Sequence, residues 1–233
     1  MSTVRLFFEL LKWDLLRELR RKETVINMSL FAMLLIFVLK LGLGTDAAIV
    51  EPVGPVVFWV TILFSGTVGL SQAFVTEQEE GRLAGVQLAP IELGVFYFSK
   101  VSSTWLYVLF MEVLVLAAFV TLFKFHRWDL LASVVAVMSV FTLGYIATGV
   151  VLASMTASLR GGGEIVLRIL LFPLMMPILI LTLRVSETVF AVPVASDAPG
   201  TPMELGRYLA IVGAFDVIYL TSGFLIFPKV LEE

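Results

Sequence analysis

Long apolar segments recur six times along this chain, and short polar or turn-forming stretches separate them. A helix of about 20 apolar residues is long enough to cross the ~30 Å hydrocarbon layer of a lipid bilayer. The pattern therefore predicts six transmembrane helices. They cover residues 24–44, 55–75, 95–123, 130–157, 165–186 and 207–227.

Residues 2–22 have a different pattern, in which apolar and charged positions recur at helical spacing. Apolar residues such as Val4, Phe8 and Leu15 share one face, while pairs of opposite charges such as Asp14 and Arg17 fall on the other. Because charges interrupt its apolar positions, this segment is not a secretory signal. We expect an amphipathic helix that lies in the membrane interface.

Composition supports a membrane protein: 59% of the residues are hydrophobic and 15% are charged, and the mean hydropathy is +1.01. These values are typical of a polytopic membrane protein rather than a soluble domain. The absence of cysteine excludes disulfides, thiolate catalysis and cysteine-ligated metals. A net charge of −3 gives no indication of nucleic acid binding. We predict an all-α integral membrane protein with one transmembrane domain, residues 1–233.

The distribution of basic residues predicts the orientation of the chain. Six spans return both termini to the same side, and the cluster Arg17, Arg20, Arg21 and Lys22 before the first span marks that side as cytoplasmic. Residues 76–90 then lie in the cytoplasm, and the proline-containing loop 187–206 lies outside.

The polar segment 76–90 has the signals of a short helix. Thr76 and Glu79 have the spacing of a capping box, and Pro90 ends the segment. Acidic residues at its start match the positive end of a helix dipole, whereas its second half is apolar with small residues. A docking helix and a solvated loop are both compatible with this pattern. The residues of interest are Thr76, Glu77, Glu79, Glu80, Gly81, Leu83, Gly85 and Pro90.

Two stretches resemble known permeases. The sequence EQEEGRL at 77–83, with Pro90 following, is similar to the cytoplasmic segment after the second span of ABC-2 type transporter permeases. The loop SLRGGGE at 158–164, which leads into a span with Pro173 and Pro177, looks like the CcmB family, the B subunit of the bacterial haem exporter of cytochrome c maturation. The resemblance implies an ABC-2 exporter fold, with 76–90 as a coupling helix that fits a groove of a separate ATPase subunit.

The resemblance also implies the partners and the setting. Such a permease works as a homodimer in the bacterial inner membrane, with an ABC ATPase subunit and beside a haem-handling membrane protein. It would have no catalytic activity of its own: ATP binds to the partner, and the complex handles haem. A face of the amphipathic N-terminal helix would contact either membrane lipid or the ATPase. Two alternatives stay open, which are an exporter of lipid, glycan or drug, and a membrane scaffold without transport.

Few side chains within the spans suggest chemistry. Glu112 and Asp216 lie near the middle of the third and sixth spans, where a charge is costly. They are candidates for a polar path through the membrane, or carboxyls hydrogen-bonded for structural reasons. His126, the single histidine, has an ordinary explanation at an outer turn, so we assign no cofactor, metal or catalytic residue. The glycine run 161–163 lacks the lysine of a Walker motif and predicts no nucleotide site.

Small residues in the second and fourth spans predict close contacts between helices. They are Gly66, Gly69 and Ser71 in the second span and Gly144, Ala147 and Thr148 in the fourth.

Overall fold

The computed structural model describes residues 3–79, 91–123, 131–157, 162–189 and 202–232. Within these ranges the chain forms seven α-helices and no strand. They are α1 (Thr3–Arg21), α2 (Glu23–Leu43), α3 (Ala47–Glu79), α4 (Leu93–Leu122), α5 (Leu131–Ala157), α6 (Gly163–Val189) and α7 (Pro202–Glu232). Helices α2 to α7 are each long and apolar enough to cross a membrane. The predicted fold class, six spans after an amphipathic N-terminal helix, is confirmed.

Helices α3 and α5 form the centre of the bundle and are its two most buried spans. Helix α5 packs against α3, α4, α6 and α7. Helix α2 packs on α3 and α4 at one side, and α1 packs mainly on α4. Helices α2 and α7 bury the least of their surface, and apolar side chains such as Leu34 of α2 and Leu225 of α7 are exposed.

Glycines bring the helices together, as predicted for the second and fourth spans. A Cβ atom at Gly66 would lie 2.8 Å from the ring of Tyr145, and one at Gly69 would lie 2.8 Å from the sulfur of Met28. Neither distance is compatible with an ordinary van der Waals contact. The glycines therefore leave room for large side chains of neighbouring helices, which is how many membrane helices pack closely.

Hydrogen bonds from aromatic side chains connect the spans. Trp59 of α3 donates to Ser186 of α6 at 2.6 Å. Tyr97 of α4 donates to the carbonyl of Ala147 on α5 at 3.0 Å, and a third bond joins Tyr219 of α7 to the Leu174 carbonyl of α6. Because the hydrocarbon layer offers no water as a partner, these polar groups are satisfied by other groups of the protein.

Helix α3 overturns one detail of the predicted coupling helix. A new helix was expected to begin at Thr76, but α3 continues without a break from Ala47 through Glu79. The physical reason is local, because glutamate and glutamine favour helix and no glycine or proline occurs between Gly69 and Gly81. The apolar span ends near Gln72, whereas the helix continues past it. At 33 residues, α3 is about 50 Å long and extends beyond a ~30 Å hydrocarbon layer.

Candidate functional site

The predicted coupling segment joins two neighbouring helices. Its first residues, 76–79, form the last turn of α3, and α4 begins at Leu93, where the Glu92 carbonyl accepts hydrogen bonds from the Val95 and Phe96 amides. Helices α3 and α4 also pack against each other. The remaining predicted residues, Glu80, Gly81, Leu83, Gly85 and Pro90, lie outside the described part of the chain. A displacement of this segment would therefore act on the ends of both helices.

A polar cluster connects α1 to the first turns of α4. Asp14 Oδ2 lies 3.4 Å from Lys100 Nζ and accepts a hydrogen bond from Ser103 at 3.2 Å, while Asp14 Oδ1 pairs with Arg17 at 2.9 Å. Only 3% of the Lys100 side chain and 14% of the Asp14 side chain are exposed. The predicted pair of Asp14 with Arg17 is confirmed, and both carboxylate oxygens of Asp14 are engaged.

Asp14 has a partner on another helix that the periodicity of α1 did not predict. We expected Asp14 on the charged face opposite the apolar stripe, and at this position that face contacts Lys100 and Ser103 of α4. Val4 and Phe8 of the apolar stripe are 65% and 59% exposed and remain available to the membrane interface. The sequence did contain one signal, because Lys100 is an ionisable residue inside a predicted span and so requires a partner.

Glu112 of α4 is a fully buried carboxyl in the bundle. Its Oε1 accepts a hydrogen bond from the Thr142 hydroxyl of α5, and its Oε2 has no hydrogen-bond partner among the described residues. None of its surface is exposed. The arrangement satisfies one oxygen and leaves the other available to a proton or a further donor.

Asp216 of α7 is also buried, and its Oδ1 packs directly against the backbone of Gly144 on α5. This oxygen has no hydrogen-bond partner in the described ranges either. Thr142 and Gly144 are two residues apart on α5, so they point in directions that differ by about 200°. Glu112 and Asp216 therefore contact different faces of α5 and do not form one pair.

An apolar groove of about 580 Å³ lies between α5, α6 and α7. Pro173 and Pro177 of α6 form one wall, and Thr148 of α5 contributes a buried hydroxyl with no hydrogen-bond partner among the described residues. None of the described residues that line the groove is charged. Its chemistry suits a hydrocarbon surface.

The remaining candidates can be placed only in part. His126 and most of the glycine loop, residues 158–161, lie outside the described residues, and Gly163 begins α6. Among the residues that the structure describes, no group of three or more histidine, cysteine, aspartate or glutamate side chains could hold a metal ion.

The fold and the buried polar contacts define a multi-pass helical membrane protein. The family model described as CcmB protein matches residues 5–232, nearly the whole chain. The chain belongs to the CcmB family.

Curated relatives agree with this assignment. Over 212 residues the chain is 26% identical to "Heme exporter protein B" of Haemophilus influenzae, covering 91% of this chain and 90% of that protein. It is 28% identical over 212 residues to the protein of the same name from Escherichia coli K12, covering 90% of each. The resemblance found in the sequence is confirmed.

Proposed function

We propose that this chain is the transmembrane permease subunit of an ABC complex that exports haem, or releases a haem chaperone, in cytochrome c biogenesis. The observation that carries the proposal is the match to the CcmB family over residues 5–232. The name of its relatives, "Heme exporter protein B", supports haem as the substrate handled. The chain supplies the membrane part, and a separate subunit hydrolyses ATP.

Coupling would act through residues 76–90. When ATP closes the ATPase subunits, this cytoplasmic segment moves with them, and it is attached to α3 at one end and α4 at the other. Because α3 is one of the two most buried spans and packs on α2, α4, α5 and α6, a change in its tilt would spread through the bundle. The proposed residues of contact are Thr76, Glu77, Glu79, Glu80, Gly81, Leu83, Gly85 and Pro90.

We place the complex in the bacterial inner membrane with both termini of this chain in the cytoplasm. It contains two copies of the permease and works beside a haem-handling membrane protein. In this arrangement the amphipathic helix α1 lies on the cytoplasmic surface, where Arg17 and Arg20 meet anionic lipid.

The test has a biochemical part and a cellular part. The permease alone should hydrolyse no ATP, and the rate of the purified ATPase subunit should change when the permease is present in lipid nanodiscs. In a bacterium whose own heme exporter protein B gene is deleted, the chain should restore c-type cytochromes, measured by haem staining of membrane proteins.

The two alternatives give different results. An exporter of lipid, glycan or drug would alter the ATPase rate without restoring c-type cytochromes. A scaffold would co-purify with the ATPase subunit and leave its rate unchanged.

A further inference from the structure

Helix α1 meets α4 through a face that carries a carboxylate, while Val4 and Phe8 of its apolar stripe stay exposed and available to lipid. On α4, Lys100 is buried and needs a counter-ion. The contact of Asp14 with Lys100 and Ser103 therefore fixes which residues of α1 face α4.

Helix α1 has only a short connection to the first span. A single residue, Lys22, separates α1 from α2, and it adopts a left-handed conformation with φ 58° and ψ −8°. Apart from this link, α1 packs mainly on α4 and only slightly on α2. The position of α1 thus follows α4 more than it follows the span to which it is covalently joined.

Helix α4 connects the cluster directly to the coupling segment. It begins at Leu93, three residues after Pro90, and continues without a break past Lys100 and Ser103. These two residues lie about 10 and 15 Å along the helix from Leu93, within its first three turns. A rigid displacement of the start of α4 would move them by the same amount.

We propose that Asp14, Lys100 and Ser103 form a joint that stays closed throughout the ATPase cycle and makes α1 move as one body with the start of α4. The joint transmits the motion of the coupling segment to α1 and, through Lys22, to the first span. Asp14 and Lys100 are positioning residues for coupling. This inference rests on the proposed function, because it requires an ATPase subunit that acts on residues 76–90.

The first test uses charge variants of the co-purified complex of permease and ATPase subunit in nanodiscs. D14N should reduce the permease-dependent change in ATPase rate at least about fivefold at equal amounts of assembled complex, the lower end of typical allosteric coupling. The double exchange D14K/K100D should recover most of the permease-dependent change in ATPase rate. Glu9 is an exposed carboxylate on the same helix, so E9Q is the matched control and should behave like the wild type.

The second test exploits the absence of cysteine in the native chain. In D14C/S103C, a reducible bifunctional methanethiosulfonate reagent can bridge the two helices without requiring the short spacing of a direct disulfide. The unbridged variant should lack coupling, the bridged complex should regain it, and dithiothreitol should abolish it again. A purely structural role would not produce this redox-dependent gain in protein that is already assembled.

Three results would overturn the joint. The first is a wild-type change in ATPase rate in D14N, and the second is no such change in an assembled and bridged D14C/S103C complex. The third is a loss of assembled D14N complex that accounts for the whole loss of permease-dependent ATPase activity. If the wild-type permease itself leaves the ATPase rate unchanged, the proposed function fails instead.

Discussion

The hydroxyl of Thr142 on α5 donates a hydrogen bond to Glu112 of α4, whose carboxyl is fully buried. The bond joins two spans at a point where the hydrocarbon layer supplies no water. It also explains how a carboxyl is accommodated near the middle of the third span, because at least one of its oxygens has a partner within the bundle.

Replacing Thr142 should therefore destabilise the bundle. Thr142→Val keeps the shape of the side chain but removes the donor, and we expect a loss of about 1–2 kcal/mol, whereas Thr142→Ser should lose less. The measurement is unfolding of the purified protein in detergent, followed by tryptophan fluorescence. Among the described residues, the Thr121 hydroxyl bonds to the carbonyl of Ala117 on its own helix, so Thr121→Val is the control. Equal stability of the two valine variants would contradict the prediction.

Gly144 should tolerate no larger side chain. A Cβ at this position would lie 2.1 Å from Asp216 Oδ1 and 3.3 Å from Ile178. Gly144→Ala should therefore push α5 away from α7 and cost about 1–3 kcal/mol. A Cβ added at Gly213 would meet no atom within 4 Å, so Gly213→Ala should be neutral or stabilising by up to about 1 kcal/mol. The same unfolding assay compares them, and similar stabilities would show that the helices adjust freely.

Gly85 should separate insertion from coupling. A glycine costs about 1 kcal/mol relative to alanine inside a helix, so its presence in the apolar half of the coupling segment favours close contact with a partner backbone. Gly85→Leu and Gly85→Trp should block association with the ATPase subunit and leave the membrane yield unchanged, whereas Gly85→Ala should preserve both. Co-purification and permease-dependent ATPase activity measure the effect. Wild-type values in both bulky variants would exclude docking at this residue.

The orientation of the chain can be tested because it has no native cysteine. A membrane-impermeant maleimide added to spheroplasts should label Ser196→Cys in the predicted outer loop and leave Gln87→Cys in the coupling segment unlabelled. Permeabilised cells should label both. The opposite pattern in spheroplasts would place residues 76–90 outside, where no cytoplasmic ATPase could reach them.

The sequence predicted the spans well, because about 20 apolar residues in a row is a strong and local signal. The small residues were equally informative: Gly66 and Gly144 lie where side chains of other helices approach. The end of α3 was harder to predict. Thr76 and Glu79 have the spacing of a capping box, yet the same residues are compatible with the interior of a helix, and only the preceding backbone decides between the two.

The orientation of Asp14 could not be derived from its own helix. A periodic pattern compares residues within one helix, whereas the partner that sets this orientation, Lys100, lies 86 residues further along the chain. Glu112 and Asp216 illustrate the same limit. Their positions in two spans were predicted, but the fact that they contact different faces of α5 depends on how three helices pack.

The separation of Asp14 from Lys100 has a consequence for biosynthesis. At about 5–20 residues per second, a ribosome needs roughly 4–17 s to reach Lys100 after it has added Asp14. During that interval α1 is complete but lacks the residue that orients it. The exposed Val4 and Phe8 allow α1 to bind the membrane surface during this interval. Helix α1 is therefore synthesised well before α4 and cannot reach its final position until the third span has entered the membrane.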